Sequence, residues 1–159
     1  MVGNGPRVVA IVTGGSAITG REVARGLASW RWAIVVVYLD DQRRAEATVA
    51  DILAAHGTTV AVRADLADDL DVERVFAESI AAFGGVDAVV HTTTDSASLL
   101  YQHAVRYVRE GGVIVGVSAA EHVPPGLARR LGERGITVGR AAPPALLSFL
   151  DTWRRADGG

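Results

Sequence analysis

Runs rich in β-branched residues alternate with helix-periodic stretches along the whole chain, and that alternation limits the fold more than any other feature. Residues 8–13 and 33–38 are apolar at nearly every position, as strands buried on both faces are. Residues 58–63, 86–91, 112–118 and 135–140 read as four further strands. Between them, residues 19–30 place Val23 and Leu27 one turn apart, and Val49, Ile52 and Leu53 share a face before His56-Gly57. Asp40 and Asp41 precede that second helix as caps. A third helix buries Val72, Val75, Phe76, Ile80 and Phe83; its start is crowded with Asp65, Asp68, Asp69, Asp71 and Glu73, where carboxylates suit the positive end of the dipole. Residues 98–110 and 125–134 complete the helices. Strand-helix alternation with right-handed crossovers predicts a doubly wound α/β fold, a mostly parallel sheet of about six strands in a three-layer single domain spanning residues 1–159. The tail, 145–153, is apolar on more than one side, so it either closes the core or meets another chain.

At 159 residues, 49% hydrophobic and 21% charged, the chain is long enough for one buried core and too apolar for disorder. Sixteen basic against eighteen acidic residues leave a net charge of −2 with no basic stripe, which argues against nucleic acid and anionic membranes as partners. No apolar run reaches the roughly 18 residues of a membrane span, and the first residues carry no signal pattern, so a cytoplasmic location is expected. Cysteine is absent, which excludes disulfides, thiolate metal sites and a cysteine nucleophile. All sixteen basic residues are Arg, so lysine chemistry is excluded too, and Asn4 is the only Asn. The histidines lack close ligand spacing, and no metal site is expected.

Residues 12–24, Val-Thr-Gly-Gly-Ser-Ala-Ile-Thr-Gly-Arg-Glu-Val-Ala, resemble the first strand, glycine loop and first helix of the short-chain dehydrogenase/reductase family. Residues 61–66 are similar to its third strand with an adenine-side acid at Asp65, residues 83–87 to the turn into strand four, 112–118 to strand five, and 126–138 with Ala142-Pro143 to its later helix, sixth strand and turn. The resemblance implies a Rossmann-like fold. For a retained NAD(P)(H) it implies contacts from Gly14, Gly15, Ser16, Ile18, Gly20, Tyr38, Asp65 and Leu66. It also implies association through the helix at 98–110, with Leu99, Leu100, Tyr107 and Val108 as contacts.

The departures fall on the family's chemistry. Its Tyr-x-x-x-Lys pair, with a Ser and an Asn, carries proton and hydride transfer. Here no Lys exists, Ala119 aligns with the Ser beside Ser118, and His91-Thr92-Thr93-Thr94 stands where the family has Asn-Asn-Ala-Gly. Segments after strands four and five are missing. Ile18 replaces the middle glycine of the loop, where a branched side chain is expected to obstruct the pyrophosphate. Asp40 and Asp41 would repel a 2′-phosphate while Arg43 and Arg44 would attract one, so no cofactor preference follows.

Ligands of open α/β sheets bind outside the carboxyl ends of the strands. That rule selects His91, Asp95, Glu121 and His122 as candidate proton-transfer groups, and Thr92, Thr93, Thr94, Ser118 and Tyr101 as candidate substrate contacts. The competing structural roles are helix capping by Thr94, Asp95 or Ser96, a buried structural imidazole at His91, and solvated loop positions at Glu121 and His122. His56 suits a helix C-terminus, and His103 is expected to face its own helix's surroundings. The resulting expectation is a truncated family core repurposed as a cofactor-independent, non-redox enzyme (dehydration, isomerisation or cyclisation of a small organic molecule). A non-catalytic accessory protein, or homo-oligomer, docking through the helix at 98–110 and the apolar tail is the second reading. An atypical NAD(P)(H)-dependent oxidoreductase is the third.

Overall fold

Strand geometry sends neighbouring side chains to opposite faces of the sheet, and because the central strands are apolar on both faces two separate cores result. The computed structural model describes residues 7–117 and 123–156. Six parallel strands, β1 (Val9–Val12), β2 (Ala33–Tyr38), β3 (Thr58–Arg63), β4 (Val86–His91), β5 (Val108–Gly116) and β6 (Thr137–Arg140), lie in the order β3-β2-β1-β4-β5-β6. The helices are α1 (Ile18–Ser29), α2 (Gln42–Ala54), α3 (Asp69–Phe83), α4 (Ser98–Tyr107), α5 (Pro125–Glu133) and α6 (Leu146–Ala156). Val9 and Ile11 point into one core with Phe76, Leu100 and Leu131; Ala10 and Val12 point into the other with Val23, Leu27 and Leu150. This is the doubly wound, Rossmann-like architecture, with the chain order reversing between β1 and β4.

Local chemistry sets the helix ends. The Asp68 carboxylate accepts from the N–H groups of Leu70 and Asp71 and starts α3, and Asp41 accepts from the Arg44 N–H at 3.1 Å to start α2. The expected helix over 98–110 stops at Tyr107 instead. Val108 is extended, fully buried and paired with Val86, so its place in the sheet outweighs the helical polar pattern of Arg106, Arg109 and Glu110. The ladder then slips, because Ala88 pairs with Val113. Asp87 braces the irregular segment: it accepts from Arg109 Nη1 at 3.0 Å and from the Val9 N–H at 2.9 Å. Of the four expected contacts of that helix, Leu100 and Val108 are core residues, and Leu99 and Tyr107 are half-buried against the core. Its His103 reaches the neighbouring helix rather than its own surroundings, with Nε2 2.8 Å from Asp69 Oδ1 and its ring stacked with Phe76 and Tyr107.

The tail closes the core. Leu146 and Leu150 are fully buried beside Val23 and Leu27, and Trp153 meets Trp32 edge to face, as Trp32 meets Trp30, while the Arg154 guanidinium lies over the Trp30 ring. Among the described residues, no helix is long and apolar enough to cross a membrane. Leu150→Ala is expected to lower unfolding stability by about 2–5 kcal/mol, read from the urea midpoint at constant slope; an unchanged midpoint would show that α6 is not part of the folded core.

Candidate functional site

The reversal of chain order leaves a crevice beyond the carboxyl ends of β1 and β4, and there the structure has an open cleft of about 720 Å³. Gly14 and Ser16 of the first loop line one part. Tyr38, Leu39, Asp40 and Asp41 line it after β2, Asp65 and Leu66 after β3, and Thr93, Asp95, Ser96, Ser98 and Leu99 after β4.

The glycine loop is sterically determined. Gly14 has φ +67°, and a Cβ there would lie 2.5 Å from Thr92 Oγ1; a Cβ on Gly20 would lie 2.0 Å from the Gly14 carbonyl oxygen. Gly15 is buried, and its carbonyl accepts from Thr48 Oγ1 at 3.0 Å, which fastens the loop to α2. Ile18 is 76% exposed in the first turn of α1 and does not line the cleft. Its branched side chain therefore does not fill the crevice as expected from the sequence.

The first turn of α1 carries no acidic residue, and Ala17 at its cap supplies no side-chain acceptor. Its leading N–H groups and positive dipole end thus remain available to an anion, whereas Asp41 and Asp68 occupy those of α2 and α3. With the glycine cradle, this donor set fits the pyrophosphate of a dinucleotide.

At the other side of the reversal, buried polar groups tie β1 to β4. Thr13 Oγ1 lies 2.8 Å from His91 Nδ1 and accepts from the Thr92 N–H at 3.1 Å, while Thr92 Oγ1 donates to the Thr13 carbonyl at 2.7 Å. His91 Nε2 is 2.7 Å from the Asp95 carbonyl oxygen, which only accepts, so Nε2 carries the proton and Nδ1 accepts from the Thr13 hydroxyl. With 1% exposure and both nitrogens engaged, His91 ties the 92–95 loop to β1, and it lies outside the residues that line the cleft, where its strand-end position leads it to be expected.

The candidate residues divide accordingly. Thr93 and Asp95 line the cleft, Thr92 is spent on the β1–β4 bonds, and Thr94 is exposed outside the lining. Tyr101 is 3% exposed in the core under β5 and does not reach the cleft lining, because the α4 face that carries it also carries Leu100 and Ala104. The cap of α4 is Ala97, not Thr94 or Asp95, and Ser96 Oγ accepts from the Ser98 N–H at 3.3 Å. Ser118, Glu121 and His122, with Ala119, lie outside the described residues. Ser96, Ser98 and Leu99 were missed; they sit a few residues past the strand end that drew attention to 91–95.

The 65–67 loop is held by carboxylates that accept from backbone N–H groups. The Asp65 N–H donates to Asp71 Oδ2 at 2.8 Å, and Asp65 Oδ1 accepts from the Ala67 N–H at 2.9 Å. The Asp65 N–H, with help from Arg74, holds the Asp71 carboxyl below its ordinary value of 3.8.

Comparison with known proteins decides the lineage. The family model described as short chain dehydrogenase matches residues 8–105. The chain belongs to the short-chain dehydrogenase family. A 3-oxoacyl-[acyl-carrier-protein] reductase from Synechocystis is 34% identical over 83 residues, which cover 52% of this chain and 34% of that protein. The match to this short-chain dehydrogenase chain spans between about a third and a half of the length of the curated relatives. Among solved structures, a short-chain dehydrogenase/reductase from Serratia marcescens superposes with TM-score 0.73 at 26% identity, covering 85% of this chain and 73% of that one. A short chain dehydrogenase from Burkholderia cenocepacia in complex with NADP gives TM-score 0.70 at 29% identity, covering 87% and 75%. These reductases and the NADP complex overturn the expectation of a non-redox enzyme that works without a cofactor. The error lay in treating Ile18 as a plug in the crevice, where its side chain does not lie.

Thr13→Val keeps the shape of the side chain but strips His91 Nδ1 and the Thr92 N–H of their partner, and a loss of about 1–3 kcal/mol is expected on urea denaturation. A smaller loss would mean that this bond does not hold the two strand ends. The sign of the Asp71 effect is also fixed: its folded value lies below 3.8, so its contribution is complete above that pH and vanishes as pH falls through the lowered value. Asp71→Asn should therefore lower the melting temperature at neutral pH and flatten its acid decline below pH 3.8; parallel pH profiles would contradict this.

Proposed function

We propose that this chain is the dinucleotide-binding unit of an NAD(P)(H)-dependent oxidoreductase that interconverts a carbonyl and an alcohol. The observation that carries it is the cleft, which runs without interruption from Gly14 and Ser16 past Tyr38 to Asp65 and Leu66, the positions the family resemblance associates with a dinucleotide. The reductase names of the relatives and the NADP complex support the same reading.

In this reading the N–H groups at the start of α1 take the pyrophosphate, and the left-handed turn at Gly14 sets the loop that leads into them. The 65–67 loop, pinned by Asp71, meets the adenine. When bound, the nicotinamide supplies or accepts the hydride. The 92–95 loop, set by His91, presents Thr93 and Asp95 beside Ser96 and Ser98 at the far end of the cleft. These hydroxyls hold the reacting oxygen, and Asp95 is the titratable group beside them. No lysine in the chain is available to depress a tyrosine pKa, so proton transfer does not use the family's Tyr-Lys pair from this chain.

Titration of the protein with NADH, followed by nucleotide fluorescence, is expected to saturate at micromolar concentration. Gly14→Val should weaken binding at least tenfold, because the left-handed backbone and the contact with Thr92 exclude a side chain. Absence of binding by the parent protein at millimolar nucleotide would refute the proposal.

A further inference from the structure

A second cavity, of about 250 Å³, lies at the opposite end of the sheet from the cleft, where α1 runs into β2 and α2 into β3. Three basic side chains, Arg7, Arg31 and His56, line it together with Trp32 and Thr58. Among the described residues, no carboxylate lines this cavity and none of the three basic side chains forms an ion pair. We infer that it is a second ligand site, which binds the phosphate group of a small anion, free or esterified. The site shares no residue with the cleft and stands whether or not a dinucleotide binds there.

Among the described residues, Arg31 and His56 alone combine a side chain with left-handed backbone, at φ +69° and +64°. Each follows the end of a helix, at the position glycine fills at least cost, because an L side chain is crowded in that conformation. Here both positions carry a basic side chain, and both border one cavity. The ordinary reason for a cation at a helix end is to meet the last carbonyls, and the backbone already does so. The Leu27 and Ile52 carbonyls accept from the N–H groups of Trp32 and Gly57 at 3.4 and 2.8 Å, and those of Ala28 and Leu53 accept from Arg31 and His56, both at 3.0 Å. Neither side chain is needed there. From the strand side, Arg7 Nη1 donates to Thr58 Oγ1 at 2.6 Å, which steadies its guanidinium beside the cavity and leaves other donors of the fork for a ligand.

Guanidinium forks match the paired oxygens of a phosphate group, and an imidazole adds a donor. A phosphate monoester carries between one and two negative charges at neutral pH, a closer match to two guanidinium groups than the single charge of a carboxylate. The cavity is several times the roughly 30 Å³ share of a water molecule, so a phosphate with a few attached heavy atoms fits. Glu22 and Asp51 line the adjoining groove between α1 and α2 rather than this cavity, and Asp51 is paired with Arg21. Arg7, Arg31 and His56 are exposed, so the attraction is screened by water and weakens with salt.

Calorimetric titration with sodium phosphate at neutral pH, and with sodium acetate at matched low ionic strength, tests the site. Phosphate is expected to saturate with a dissociation constant of about 1 mM, and acetate to bind about tenfold more weakly or less. Glycerol 3-phosphate titrated in the same way identifies the source: tighter binding than inorganic phosphate assigns the ester, and equal or weaker binding assigns the free ion. Arg31→Gly with His56→Gly removes two of the basic groups while relaxing both left-handed turns, so it should keep the melting temperature and weaken phosphate binding by about tenfold or more. Arg7→Gln, outside both turns, should weaken it severalfold and decides the same question if the double variant fails to fold. Absence of saturation by phosphate, equally tight binding of acetate, or affinity that persists undiminished in these variants, as it would for phosphate held at the start of α1, would overturn the site.

Discussion

The Thr13 hydroxyl, lodged between His91 Nδ1 and the Thr92 N–H, is the constraint on which the cleft depends. Parallel strands separate at their carboxyl ends, and at the β1–β4 reversal the helices that follow turn to opposite faces of the sheet. Backbone groups just past the ladder lose their partners there. One hydroxyl and one imidazole supply those partners in a dry environment, where an unsatisfied group is costly and a satisfied one rigid. The glycine loop leans on the same residues, since Gly14 packs against Thr92 and Thr93. The positions of α1 and of the 92–95 loop are thus set together.

The architecture was legible because its determinants are local. β1 and β2 are apolar throughout since both faces are covered, and α3 announces its start with Asp68, Asp69 and Asp71. The end of α4 was not legible. Polar residues at 106, 109 and 110 fit a helix, and only the pairing of Val108 with Val86, a contact between residues far apart in sequence, makes an extended backbone preferable. His91 lies off the lining for a related reason: position at a strand end says that a side chain is near the crevice, but not whether it faces the crevice or the layer beneath, and Tyr101 on α4 is likewise buried in the layer beneath. Ile18 shows the reverse, a bulky residue at a critical loop position whose side chain turns to solvent.

The chain keeps a backbone cradle at Gly14 and Gly20 without the tyrosine-lysine pair that the family resemblance sets beside it. The cradle depends on backbone geometry, so it tolerates much sequence change as long as Gly14 and Gly20 remain. The pair depends on side chains carried by a segment that is short here: β5 ends at Gly116 and α5 begins at Pro125. Deletions in loops and helix ends cost little when both flanking elements keep their packing, and β5 and α5 keep theirs through Ile114 and Leu131.

All three tryptophans belong to one cluster, Trp30 and Trp32 at the end of α1 and Trp153 on α6. The protein's tryptophan emission therefore originates from a single junction, where α6 seals the sheet, at the opposite end of α1 from the glycine loop. Spectral change in that emission reports seating of the C-terminal helix and is nearly blind to local rearrangement of the cleft loops. The molecule thus carries an internal optical gauge of its own closure.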